Sequence, residues 1–310
     1  MSGKKLQDAK SAFATMIEML DERDNFYVQT FSDIGTAALF GGGGATSGAK
    51  QEAKSFVSSL QAFGGTNLNE AFLDGIFRAR DDSNGRVPII VMLTDGKGNT
   101  APRDVARNVL NANQDGQAKI FNLAFGKDAD YDLLLGISIQ NGGQTVRVYE
   151  GFGDAVSQME LFYRSELSSV LLSDIEVAYE ADGNTQLGDT TSQHFAVLAG
   201  GSEVVVHGRF GTSSDPTTTA TVRNGGTLRS SVVAQSAGGP QNWLSDHEII
   251  PISLEGQPTS VVNECYQGFA QARIVELLQF HDAERALGDD LFGQRRLEGE
   301  PSFAELAEEL

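Results

Sequence analysis

Two residues in this chain combine oxygen chemistry with surroundings suited to a hard divalent ion. Thr66 stands in Gly64-Gly65-Thr66-Asn67, a loop that opens a helix, and Asp95 stands in Leu93-Thr94-Asp95-Gly96, directly after a continuous apolar run. Hydroxyl, carboxylate and water oxygens are the ligands Mg²⁺ prefers. Spacing alone fits a plainer reading too, in which Thr66 helps cap its helix and Asp95 forms a turn with Gly96. Other chemistry is sparse. His194, His207, His247 and His281 are scattered, with no His-Glu-x-x-His, Gly-x-Ser-x-Gly or phosphate-loop pattern around them. Cys265, the single cysteine, lies on the apolar side of a helix start without a neighbouring histidine, which suits a small core residue better than a nucleophile. Gly41 to Gly44 lacks a following Lys-Ser/Thr and reads as a flexible loop. Trp243, near Gly238-Gly239-Pro240, reads as a loop aromatic covering a local core.

Both oxygen ligands need a scaffold whose loops meet at one end, and the first half of the chain supplies one. Leu6, Ala9, Phe13, Met16, Ile17 and Leu20 recur at helical steps, and a strand follows from Asn25 to Phe31. Ala49, Ala53, Phe56, Val57 and Leu60 mark a second helix. A third follows Asn67, with Glu70 placed for a capping box. Ile89 to Leu93 is apolar at every position, as for a central parallel strand covered on both faces. Thr100 and Pro102 suit the start of the next helix, Ile120 to Phe125 the next strand, and Asp128 the cap of a helix running through Leu135. Thr145 to Tyr149 and a helix carrying Val156, Met159, Tyr163 and Leu167 complete the series. Such alternation predicts an α/β, doubly wound and mostly parallel sheet, whose ligands bind beyond the carboxyl ends of the strands.

The pattern changes near residue 170. Ile175, Val177 and Tyr179 alternate with polar residues, while Val204 to Val206 and Thr219 to Val222 are β-branched, so residues 169–260 read as a β-rich segment. Tyr266, Phe269, Ala270, Ile274, Leu277 and Leu278 restore a helical stripe in a segment spanning residues 261–310. Residues 1–168 then form the α/β domain. A net charge of −19 repels phosphate backbones, which argues against a nucleic-acid partner. No apolar run has the roughly 18 residues of a membrane span, no secretory leader is evident at the start, and one cysteine excludes an internal disulfide.

The stretches Gly64 to Ala71, Ile90 to Gly96 and Asp130-Tyr131-Asp132 resemble a von Willebrand factor A domain, specifically that of the inter-alpha-trypsin inhibitor heavy chains. The similarity continues through Phe162-Tyr163, Leu171-Leu172 and Gly200 to Val206 into the helix around Gln271 to Leu278. It implies a non-enzymatic adhesion or binding module, extracellular and associated with matrix and hyaluronan, with a protein or glycosaminoglycan-associated partner. The alternative is an intracellular A-domain scaffold in a larger assembly. Thr66 and Asp95 match two ligands of the family's metal-ion-dependent adhesion site. The resemblance places the remaining Asp-x-Ser-x-Ser loop, and the central strand carrying it, ahead of Met1. The expectation is a fragment that lacks this first strand and holds a partial site, with Mg²⁺ bound weakly or not at all, and a β-rich segment with exposed edges. A glycosaminoglycan ester cannot be carried over, because Asp215-Pro216 is followed by Thr217.

Overall fold

A computed structural model describes residues 1–248, apart from 82, 84–85, 115, 150–153, 168–169, 182–185, 200–203, 207, 212–226 and 237–238. The expected helix at 261–310, with Cys265 and His281, lies outside the described residues, as do His207 and Asp215-Pro216. The described chain divides into two compact units after Val170.

In the first unit, α1 (Gly3–Met19) buries Ala9, Ala12, Met16 and Ile17 along one face. A hairpin follows, β1 (Asn25–Ser32) and β2 (Gly35–Gly44), then α2 (Ser47–Ser59), α3 (Leu68–Asp81), β3 (Ile89–Thr94), α4 (Pro102–Ala112), β4 (Lys119–Phe125), α5 (Tyr131–Gln140), β5 (Thr145–Val148) and α6 (Asp154–Phe162). The last helix runs into a π-helical turn, Tyr163–Leu167. Two sheets result: β1 pairs antiparallel with β2, and β3, β4 and β5 pair parallel in that order.

Alternation along β4 sorts the helices into two rows. Ile120 and Ala124 join Phe72, Val109 and Leu134 in the core made by α3, α4 and α5, whereas the ring of Phe121 meets that of Phe162 on α6 at 6.0 Å. The hairpin sits between the same rows. Phe26 and Val28 pack with Ile17 of α1 and Val57 of α2, while Phe31 packs against the α3–α5 core. Helix α3 touches β1, β2 and β3 alike.

Several expectations need correction. The run Ile89 to Leu93 reads as a central, fully covered strand, but among the described residues β3 is the edge of its sheet. Met92 and Leu93 are buried while Ile89, Ile90 and Val91 are half-buried, since one side of β3 has no neighbouring strand among the described residues. The central strand is β4, buried at all seven positions. Gly41 to Gly44 belongs to β2, not to a loop. At Gly41 the chain has φ +111° at a register shift, and Phe26 O stands where a β-carbon would be, so the bulge needs glycine. Asp130, not Asp128, caps α5 by accepting from Leu133 N, and Asp128 faces Lys5. The α4 cap is Ala101, without a side-chain bond, so Thr100 does not cap; Pro102 fills the first turn as expected.

The second unit is antiparallel. Strands β6 (Val170–Ala181), β8 (His194–Ala199), β10 (Thr227–Ser236) and β11 (Gly239–Glu248) form one sheet ordered β11-β10-β6-β8, and β7 (Gln186–Thr190) pairs with β9 (Gly208–Gly211) in another. Ile175, Val177 and Ala234 form its small core. Val204 to Val206 are not in a strand, and Trp243 stands within β11 opposite Val232, not in a loop.

Candidate metal and ligand face

The loop carrying Thr66 is held from two sides. On one side, Asn67 N donates to Ser32 O at 2.8 Å and Asn67 Nδ2 to Asp33 O at 3.5 Å, fixing the loop to the tip of the β1–β2 hairpin. Gly64 makes this approach at φ +70°, with the Asp33 carboxylate in the place a β-carbon would take. On the other side, Asn99 N donates to Thr66 O at 3.0 Å, and Thr66 Oγ1 lies 3.4 Å from where Gly96 would carry a β-carbon. The Thr66 hydroxyl thus faces the turn that contains Asp95.

Thr66 is not used as the helix cap. Asn67 Oδ1 accepts from Glu70 N at 3.1 Å, so Asn67 caps α3 and the plainer reading of Thr66 loses its basis. The turn reading of Asp95 is compatible with the structure, because Gly96 N donates to Thr94 Oγ1 at 3.4 Å within that turn. Asp95 Oδ1 lies 3.1 Å from the α-amino nitrogen of Met1, the two side chains being about one-fifth exposed.

Thr66 and Asp95 are thus brought to the same loop cluster, at the carboxyl ends of β1 and β3. Together they offer one hydroxyl and one carboxylate. No group of three or more His, Cys, Asp or Glu side chains suited to a metal forms among the described residues. Acting as ligands, these two side chains would fill part of an octahedral oxygen shell and leave the rest to water or to donors from elsewhere. Sequence spacing gave no sign of Asp33, which comes from a hairpin tip 31 residues before Gly64. Ile34 and Phe63, 77% and 65% exposed, were missed as well; each is one residue from the Asp33–Gly64 contact, so the face carries an apolar rim. Of the histidines, His194 begins β8 and His247 lies in β11, both in the second unit.

Residues 1–146 match the von Willebrand factor type A domain family. Human inter-alpha-trypsin inhibitor heavy chain H4 is 33% identical over 232 residues, covering 72% of this chain and 24% of the relative. Human heavy chain H3 is 35% identical over 224 residues, covering 68% and 24%. The chain spans about a quarter of the length of these relatives. Among solved structures, a von Willebrand factor type A protein from Catenulispora acidiphila aligns with a TM-score of 0.55 at 18% identity, over 79% of this chain and 62% of that one. The human COPII-coat protein Sec24c aligns with a TM-score of 0.54 at 11% identity, over 98% and 51%. At those identities the structures share the fold alone. No helix among the described residues is long and apolar enough to cross a membrane. The chain carries a von Willebrand factor type A domain and is a relative of the inter-alpha-trypsin inhibitor heavy chains.

Proposed function

We propose that the chain is a non-enzymatic adhesion module whose ligand face is the loop cluster of Thr66 and Asp95. The observation that carries this reading is the placement of the Thr66 hydroxyl against Gly96, free of the helix cap that Asn67 supplies. Thr66 and Asp95 would contribute two oxygen ligands to Mg²⁺, an ion that polarises and orients a bound carboxylate or hydroxyl of a partner. A partner protein or glycosaminoglycan-associated matrix component in an extracellular setting is the ligand class this proposal draws from the heavy-chain relationship. The exposed Ile34 and Phe63 give such a partner apolar contact beside the polar centre.

One carboxylate and one hydroxyl compensate poorly for the reluctant dehydration of Mg²⁺. Calorimetric titration of the 310-residue chain with Mg²⁺ or Mn²⁺ is therefore expected to give no saturable heat at about millimolar metal. A chain with an Asp-x-Ser-x-Ser loop and its strand joined ahead of Met1 is expected to bind, and to lose binding on Asp95→Ala or Thr66→Ala. Tight binding by the 310-residue chain, abolished by Asp95→Ala, would overturn the partial-site reading. Binding by the extended chain that ignores both substitutions would remove Thr66 and Asp95 from the site. With the completed site, retention on immobilised matrix protein or hyaluronan that depends on Mn²⁺ tests the partner class.

A further inference from the structure

We infer that the outer edge of β2 is a self-association edge: two copies of this chain pair β2 with β2, antiparallel, about a two-fold axis near Leu39. The inference does not depend on metal binding.

The edge is open and unguarded. Among the described residues β2 pairs only with β1, so the main-chain groups on its far side have no strand partner. Leu39 and Gly41 to Gly43 are exposed, which makes β2 the strand of the first unit most open to solvent. Edge strands are ordinarily kept apart by lysine, proline or shortness. Here neither a charged residue nor a proline occurs between Asp33 and Lys50, and the strand is ten residues long. Two register shifts leave Ala38 to Gly41 regular, opposite Thr30 to Tyr27. That stretch forms the centre of the edge.

Helix α3 lies along one face of β2 and runs in the same direction. Its Glu70 stands 3.1 Å from where Gly35 would carry a β-carbon, and Thr36 Oγ1 donates to Asp74 Oδ2. One turn later the Arg78 guanidinium lies 5.5 Å over the ring of Tyr27, and that ring stands 3.1 Å from where Gly42 would carry a β-carbon. Phe40 packs with Phe26 and Val28 toward α1 and α2, so its neighbour Leu39 points to the α3 face. Phe77 falls between Asp74 and Arg78, and Leu39 between Thr36 and Gly42. The same stretch of edge therefore carries two apolar side chains, 54% and 40% exposed.

The order of charge along the edge selects the occupant. Carboxylates of Glu70 and Asp74 mark the beginning of β2, and the guanidinium of Arg78 marks its end. A second β2 laid antiparallel sets Gly35 and Thr36 of each copy near Gly42 and Gly41 of the other, bringing acid to base at both ends of the seam. Parallel pairing would set like charge on like. The two-fold axis stands perpendicular to the sheet, so Leu39 and Phe77 of both copies share one face. Both partners use the same patch, as in most homodimers. The two-stranded hairpin becomes a four-stranded sheet ordered β1-β2-β2-β1, beyond the two strands that are marginal alone. A seam this short falls below the standard interface size and sets the dissociation constant at about 10 to 100 µM.

Sedimentation velocity of the full 310-residue chain tests the inference, in about 0.15 M salt so that the net charge of −19 per copy is screened beyond about 8 Å. Between about 1 and 500 µM the chain is expected to pass from monomer to dimer, with amide exchange slowing at alternate residues of Ala38 to Gly41 as the dimer forms. Leu39→Lys and Phe77→Lys, both at exposed positions, should each weaken association about tenfold or more while leaving the Tm near that of the parent. A charge exchange tests the antiparallel order. Glu70→Lys with Asp74→Lys in one chain, and Arg78→Glu in another, should each give a monomer, whereas an equimolar mixture should dimerise as the parent does. A parent chain that stays monomeric across the range would overturn the inference, whether or not an added uncharged strand peptide protects the β2 amides. So would dimerisation untouched by Leu39→Lys and Phe77→Lys, or a mixture that stays monomeric although both charge variants melt like the parent.

Discussion

Replacing Gly64 by alanine is expected to loosen the candidate site by a route that can be dissected. At φ +70° an L-residue costs about 1 to 2 kcal/mol over glycine. The new β-carbon would also overlap Asp33 Oδ1 and lie 3.1 Å from Ser32 Cβ. Asp33 can swing away, but Ser32 is 1% exposed and has little room, which adds about 1 kcal/mol or more of overpacking. The sum, about 2 to 4 kcal/mol, corresponds to a fall in Tm of roughly 5 to 15 °C in a unit of this size. Gly65→Ala is the matched control. Its β-carbon would lie 3.3 Å from Asp33 Cβ at an ordinary φ, so a change within about 0.5 kcal/mol is expected. Calorimetric melting of both variants, repeated in an Asp33→Ala background, separates the two costs. Removing the Asp33 carboxylate should recover part of the Gly64→Ala loss, while the backbone contribution persists. Equal melting of Gly64→Ala and Gly65→Ala, or no coupling to Asp33, would refute the account of how the loop is fixed.

Tyr163 supplies a pH prediction. Burial first, then the nearby Asp24 and Asp21 carboxylates, push its phenol up from 10.0 to about 12. Between those values the folded chain keeps a proton that the unfolded chain releases. The contribution is therefore complete below about pH 10 and is lost as pH rises through about 12, amounting to about 2 to 3 kcal/mol. Denaturant midpoints measured across that window should fall in the parent and fall less in Tyr163→Phe. Asn113→Ala should cost about 2 to 4 kcal/mol in urea unfolding, because Asn113 bonds Ala118 N, Ala118 O and Asn141 Oδ1 in a buried cluster. Phe72→Ala, at a fully buried position in the α3–α5 core, should cost about 3 to 5 kcal/mol in the same assay.

Local patterns exposed the helices and the strands of the first unit because their periods differ. The stripe from Leu6 to Leu20 gives α1, and Asn67 with Glu70 marks the start of α3. What failed was neighbour-dependent. An all-apolar run such as Ile89 to Leu93 reads as doubly covered, yet its flank depends on whether a strand lies beside it, which no periodicity encodes. Gly41 to Gly44 lacks side chains to reveal a strand, and only the facing Phe26 shows that they pair. At the candidate site, the motifs around Thr66 and Asp95 mark the two loops that the fold brings together. Their relation to Asp33 is not marked, because it arises from a long-range turn contact at Gly64. Gly238-Gly239-Pro240 signals a loop around Trp243, yet Gly239 and Pro240 open β11.

The buried Asn122 at the middle of β4 bears on how the chain finds its pairing. Its Nδ2 donates to Leu134 O and to Ser138 Oγ, both at 2.8 Å, while its Oδ1 has no partner. A strand that is apolar on both faces can slide by two residues along its neighbours with every side chain still directed to the correct face. Here such a slide would carry Asn122 away from both acceptors and bring Ile120 or Ala124 to the place of its amide. The misaligned sheet would then hold an amide stranded among hydrocarbon, whereas the aligned sheet satisfies both of its N–H donors. Asn122 thus acts as an alignment mark in an otherwise slippery strand. Replacing it with leucine should leave the sheet able to form in more than one register, seen as multiple backbone resonances for β4 even where overall stability is preserved.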